Sequence, residues 1–143
     1  MFATGNGIDE VVTTAAEVPS TFDAQFWDVI AVEGKENVYT IVQRTYRSAP
    51  GGSWSLQENS AVYPVPVITS QGSAEWRIFP SEENSDAFTS LRFLSIQLVT
   101  TALGVDRYVG TNDANQVVVI SIPVVAHPEQ DIPQWKFLGG QIR

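Results

Sequence analysis

A chain of 143 residues with 43% apolar and 17% charged side chains has material for one ordinary core and is too apolar for a disordered segment. It has no Cys, which excludes disulfides, thiolate metal sites and Cys nucleophiles together. A formal net charge of −8 repels phosphate backbones and argues against nucleic-acid binding, and no run of about 18 apolar residues offers a membrane-spanning helix.

No basic segment followed by an apolar one stands at the N-terminus, so no secretory signal is visible and the cytoplasm is the favoured compartment. Phe2-Ala3-Thr4 reads as a short aromatic-led strand, with Asn6-Gly7 as the turn after it. The Val run Val11-Val12-Thr13-Thr14 follows. Residues 17–25 form a loop broken by Pro19 and Ser20, and Phe26-Trp27-Asp28-Val29-Ile30 is a Trp-led strand. Gly34-Lys35-Glu36-Asn37 turns the chain into Val38-Tyr39-Thr40-Ile41-Val42, which alternates with the period of two that a strand requires. Residues 44–53 end in a loop rich in Pro and Gly. Pro64 and Pro66 flank Val65 at period two, which puts this strand at a rim or a hairpin end, where missing N–H groups cost nothing. Residues 91–103 are long and apolar enough for a helix, but Thr, Val, Ile and Phe favour a strand. Gly139-Gly140 frays the end.

The pattern recurs. A Val-rich run, a loop and a Trp-led strand appear with Trp27, again with Val65-Pro66-Val67-Ile68 and Trp76, and again with Val117-Val118-Val119-Ile120 and Trp135. Upstream of each Val run an aromatic leads a strand, so Phe2, Trp54 and Tyr108 align. The reading is one domain over residues 1–143, in thirds of about 1–36, 37–80 and 81–143. Ten to twelve short strands at this spacing mean a closed or double-layer all-β fold. The three recurring Trp residues read as core anchors.

Catalytic chemistry is poorly supplied. His127 is the single histidine, lies between prolines and has no nucleophile elbow near it in sequence. One His and no Cys make a zinc site implausible. Glu82-Glu83 sits in a polar loop without the apolar surroundings that raise a carboxyl pKa. Gly5-Asn6-Gly7 is too short to cradle a phosphate. No cofactor, metal or enzyme activity is expected. Two loops remain. In the first, Glu17, Val18, Pro19, Ser20, Thr21 and Phe22 combine a stiff proline with an apolar ring. In the second, Arg47, Ser48, Ala49, Pro50 and Gly51 present a cation on a turn stiffened by Pro50, which suits a trypsin-like pocket with its buried carboxylate. Plain surface roles are the competing reading for both.

The ordered set of segments resembles the mycocypins, the mushroom cysteine-protease inhibitors, and their macrocypin branch in particular. The matching segments are Trp27-Asp28-Val29-Ile30 running on to Val38-Tyr39-Thr40-Ile41; Pro50-Gly51-Gly52-Ser53-Trp54-Ser55; Val65-Pro66-Val67 leading to Glu75-Trp76-Arg77-Ile78-Phe79-Pro80; and Ile132-Pro133-Gln134-Trp135-Lys136-Phe137-Leu138-Gly139. The resemblance implies a β-trefoil, a six-stranded barrel capped by three hairpins, whose loops bind papain-like cysteine proteases without covalent chemistry. It assigns the 17–22 loop to papain-like enzymes. It makes the Arg47 loop the equivalent of one that carries Asn where legumain is inhibited and a basic residue where trypsin is. The family's first strand and first binding loop precede the segment matched here at Met1. This leaves an open ladder edge, to be filled by a tag, a loop or a second chain, and a dimer through that edge is one outcome. Two other readings stand beside it: a carbohydrate-binding trefoil lectin, with Asn6, Asn59 and Asn112 recurring in the three thirds, and an aspartic-protease inhibitor.

Overall fold

The computed structural model describes residues 1–16, 22–44, 51–57, 63–80, 93–100, 103–124, 131–138 and 141–142. They form β1 (Phe2–Thr4), β2 (Thr13–Ala15), a 3-10 turn (Phe22–Gln25), β3 (Trp27–Ala31), β4 (Val38–Gln43), β5 (Ser53–Leu56), β6 (Val65–Ser70), β7 (Trp76–Pro80), β8 (Phe93–Leu98), β9 (Val105–Thr111), β10 (Val117–Pro123), β11 (Trp135–Leu138) and β12 (Gln141–Ile142). The all-β expectation holds. The apolar run that could have been a helix is strand β8, in keeping with its branched and aromatic side chains.

Seven strands close a barrel in the order β8-β7-β4-β5-β6-β10-β9, and Gln97 opposite Tyr108 joins β9 back to β8. Closure removes the exposed ladder edges that an open sheet of this size would present. β3 flanks the barrel on β4, and β11 flanks it on β8. The pairing pattern repeats. β4 pairs with β5 and β7 while β5 pairs with β6; likewise β8 pairs with β9 and β11 while β9 pairs with β10. In the first third, β1 and β2 form a hairpin of their own. Gly139 and Gly140, expected to fray the end, lie outside the described residues. β12 pairs antiparallel with β11, with Phe137 opposite Ile142 and Leu138 opposite Gln141.

Pro66 lies in the second position of β6 and Pro64 just before the strand, at the hairpin end that the pattern implies. Leu56 opposite Val67 is the last pair of the β5–β6 ladder. Pro66 stands one step beyond it, where its carbonyl accepts Gln57 N at 3.2 Å but, lacking an N–H, it cannot return the bond, and the ladder ends there.

Three buried valines knit the hairpins together. Val12 N donates to Val67 O at 2.8 Å, and Val117 N donates to Val12 O at 2.8 Å. The registers Leu56↔Val67 and Thr111↔Val117, and Thr4↔Thr13 one step before Val12, set the opposite partners as Leu56, Thr111 and Gly5. Two residues back along each strand stand Trp54, Val109 and Ala3, all fully buried. Trp54 therefore corresponds to Ala3 and Val109, one residue away from the alignment with Phe2 and Tyr108 that the sequence suggests. A one-residue slip sends a side chain to the other face of a strand. Here it turns the Trp54 indole inward. The ring meets Trp27, Trp76 and Trp135 edge-on, with centroids 5.6, 5.9 and 6.3 Å away. The three recurring tryptophans are core anchors that close on a fourth, each contact contributing about 0.5–1.5 kcal/mol beyond burial.

Candidate functional site

Of the residues singled out from sequence, Glu17, Val18, Pro19, Ser20, Thr21, Arg47, Ser48, Ala49 and Pro50 lie outside the described residues, as do Asn59, Glu82, Glu83 and His127. Phe22 opens the 3-10 turn, and Gly51 is buried at the end of the second loop. What the structure supplies is the pair of stems that carry the two loops.

The first stem is closed by a buried side chain. Gln25 Nε2 donates to Ala16 O at 3.1 Å, to Thr4 Oγ1 at 3.1 Å and, more loosely, to Ala15 O at 3.5 Å. It thus ties the strand entering the loop to the turn leaving it, across β1. Gly5 N adds a bond to Ala24 O at 2.9 Å. Holding one amide donor between acceptors on two segments fixes the distance between the ends of the loop.

The second stem is set by backbone. Gln43 N donates to Gly52 O at 2.8 Å, one step outside the Val42↔Ser53 pair. Gly52 has φ +101°, and a Cβ there would stand 2.8 Å from Ile8 Cδ1 and 3.0 Å from Thr69 Cβ, so glycine is required on two counts. The wall behind it is itself fastened: Asp9 N to Thr69 O at 2.6 Å, and Thr69 Oγ1 to Gly7 O at 2.6 Å.

The stems touch. Arg44, the last described residue before the Arg47 loop, donates its N–H to Phe26 O at 3.0 Å. Its guanidinium meets Asp28 Oδ1 through Nε at 2.9 Å and Nη2 at 2.8 Å, and lies 5.9 Å from the Phe26 ring centroid. On the inner side, a Cβ on Gly5 would stand 2.7 Å from Gln43 Oε1, so the residue after β1, bonded to Ala24 O, also lies close against Gln43 of the second stem.

Nothing described resembles a reaction centre. The cleft between Met1, Thr14, Asn115 and Pro133, of about 260 Å³, is lined by no acid, histidine or cysteine. Among the described residues no three His, Cys, Asp or Glu side chains gather as metal ligands would. The features expected of a sugar-binding surface are spoken for. Asn6 Nδ2 bonds Val11 O and Thr13 Oγ1, Asn112 Oδ1 accepts from Ala114 N and Gln116 N, and no described aromatic is among the exposed large apolar residues. Sequence reasoning missed Gln25, Gly5 and Gly52. The available signal was a glutamine inside the run Ala24-Gln25-Phe26-Trp27, since a polar side chain beside core aromatics needs buried partners.

Compared with known proteins, residues 1–137 match the family model described as peptidase inhibitor clitocypin. No curated protein matches the chain.

Proposed function

The chain belongs to the clitocypin family of peptidase inhibitors, and from that premise we propose that it inhibits papain-like cysteine proteases by non-covalent occlusion of their active-site cleft. A peptidase inhibitor family implies protease partners and no enzyme activity of its own. The loop of Glu17, Val18, Pro19, Ser20, Thr21 and Phe22 is the segment we assign to the cleft. The Arg47 loop, with Ser48, Ala49, Pro50 and Gly51, is assigned to trypsin-like serine proteases, its cation meeting the buried carboxylate of their specificity pocket.

The observation that carries the reading is the Gln25 clamp at the base of the first loop. A loop whose ends are already held in place loses little conformational freedom on docking, so more of the contact energy appears as affinity. We read the fold as a single β-trefoil domain; the twice-repeated strand pairing and the three joined valines support that reading. The edge of β3 turned away from β4, which no described strand pairs, is where a second copy would add.

Inhibition constants against papain and trypsin test the reading. Exchange of Pro19 and Phe22 for Gly and Ser should abolish papain inhibition, and Arg47→Glu should abolish trypsin inhibition. Folded protein that leaves both enzymes fully active refutes it.

A further inference from the structure

The described cations differ in what meets them. Lys35 and Arg44 are exposed, and each has a carboxylate, Glu75 and Asp28. Arg77 is exposed and reaches Gln97 at 3.5 Å, and Lys136 lies 4.6 Å from the Phe93 ring centroid. Arg107 of β9 is half-buried and pairs with no described carboxylate. Its guanidinium carbon lies 3.8 Å from the centroid of the Tyr63 ring, and its Nη1 donates to Ser121 Oγ. Its Nε is buried and meets no acceptor. The strand registers explain the grouping. Ser121 stands opposite Arg107 in the β9–β10 ladder, and Val119 opposite Val65 brings Tyr63, two residues before Val65, alongside Ser121. Asp106 is next along β9, but successive side chains of a strand point to opposite faces, so it is turned away from Arg107.

A cation so placed is one contact short. Leaving water costs a guanidinium its hydration, and one aromatic ring with one hydroxyl restores only part of it. The guanidinium is a planar fork of N–H donors with no acceptor. One donor is spent on Ser121 and the Nε–H is enclosed, which leaves the second Nη to a ligand. Ser121 accepts from Arg107 and keeps its own hydrogen to donate. A cation and a hydroxyl side by side, both with donors to spare, suit a carboxylate group. The charge of the chain decides which anion is favoured. A net −8 opposes every anion, but it opposes a doubly charged phosphate about twice as strongly as a singly charged carboxylate.

We propose that Arg107, with Ser121 beside it and Tyr63 against its guanidinium, is a binding site for a single carboxylate, whether that of a free acid or of an acidic side chain or chain end on a larger partner. The carboxylate supplies the counter-charge that the half-buried cation lacks and takes the hydrogen that Ser121 has left to give. Arg107 and Ser121 stand on β9 and β10, which carry neither of the loops assigned to proteases, so the site is independent of the inhibitor reading.

The test is a nuclear magnetic resonance titration of the full, nitrogen-labelled chain with sodium acetate, chloride holding the ionic strength constant. The Arg107 Nε–H, buried away from water, and the backbone amides of Arg107 and Ser121 report on the site. A saturable shift of these signals, with a millimolar midpoint, is the expected result. Short alanine peptides then separate the sources: one with a free chain end, one amidated, and one amidated with a single Glu. A peptide that binds more tightly than acetate identifies the partner's carboxylate as a chain end or a side chain, and peptides no tighter than acetate identify a free acid. Arg107→Lys should weaken acetate binding about tenfold, because an ammonium keeps the charge but not the fork. Ser121→Ala should weaken it about threefold, the scale of one neutral hydrogen bond. Signals that do not move or do not saturate overturn the proposal, as does an equal shift with chloride or phosphate, or acetate binding that is unchanged in folded Arg107→Lys. If a variant does not fold, the titration of the unaltered chain decides by itself.

Discussion

Trp54 stands edge-on to Trp76, their centroids 5.9 Å apart and their planes at 87°, and neither indole N–H reaches an acceptor among the described residues. The cause lies in what fills a shared position, where Trp54 stands in place of Ala3 and Val109 at equivalent register. Trp27 Nε1 donates to Ala3 O at 3.0 Å, and Trp135 Nε1 donates to Val109 O at 2.9 Å. The corresponding acceptor for Trp76 is the carbonyl of Trp54, and Ala74 N takes it at 3.1 Å. With a large ring at the centre, the middle third packs by aromatic contact where the other two pack by contact and hydrogen bond.

This asymmetry gives an ordering of variants. Trp27→Phe removes ring volume and also leaves the buried Ala3 carbonyl without its donor, a further cost of about 1–3 kcal/mol. Trp76→Phe removes similar volume and an N–H that had no described acceptor. Urea unfolding should therefore show Trp27→Phe less stable than Trp76→Phe by about 1 kcal/mol or more. Trp54→Ala should be worse than either, at about 3–5 kcal/mol, because it empties the centre on which three rings close. Equal midpoints for the two Phe variants would show that the Trp27 bond contributes nothing.

Much of the fold was legible because alternation and turn residues act locally. Val38 to Val42 alternates, Asn6-Gly7 and Gly34-Lys35 turn, and the strands fell where these signals placed them. The place of Trp54 was not legible. Trp54-Ser55-Leu56 resembles Phe2-Ala3-Thr4 residue for residue by aromatic position, but register is set by the partner strand, and the partner assigns Trp54 to the place of Ala3. Gln25 escaped for a related reason. A buried glutamine is specified by acceptors on Thr4, Ala15 and Ala16, about ten to twenty residues away, and no local pattern records that. The two loops stood out by composition, whereas the contact between their stems depends on the pairing of β3 with β4.

The glycines separate conformational strain from contact. Gly34 and Gly52 both have positive φ, of +80° and +101°, but nothing lies within 4 Å of a Cβ on Gly34. Gly34→Ala should cost about 1–2 kcal/mol from backbone strain alone. Gly52→Ala adds a collision with Thr69 Cβ at 3.0 Å and Ser70 N at 3.3 Å, neither a flexible chain end, and should cost at least about 1 kcal/mol more. It should also displace the base of the Arg47 loop. Thermal melts rank the two variants, and trypsin inhibition, lost in Gly52→Ala and kept in Gly34→Ala, ties the difference to that loop.

Gln25→Leu keeps the approximate volume of the side chain and removes its donor. Ala16 O and Thr4 Oγ1 lose a partner, and stability should fall by about 1–3 kcal/mol. If the clamp serves the loop, papain inhibition should fall about tenfold or more in protein that is still fully folded at the assay temperature. A variant that loses stability but retains its inhibition constant would confine Gln25 to a packing role.

Two exposed ion pairs at opposite ends of one hairpin complete the comparison. Lys35 Nζ meets Glu75 Oε2 at 2.6 Å beside the β3–β4 turn, and Arg44 meets Asp28 at the far end, between the loop stems. Their side chains are 51% and 35%, and 47% and 43%, exposed, so each pair should contribute at most about 1 kcal/mol to folding. Lys35→Ala and Arg44→Ala should then have midpoints within about 0.5 kcal/mol of each other. Their inhibition constants should diverge. Lys35 lies away from the proposed contact, and its removal should change inhibition by no more than about twofold, the scale of a solvent-screened charge. Arg44 holds Asp28 and lies along Phe26 between the loops, so its removal frees both stems and should weaken inhibition of the bound protease about tenfold. Added salt separates the causes: a steering effect fades between about 0.05 and 0.5 M salt, whereas loss of a stem contact persists.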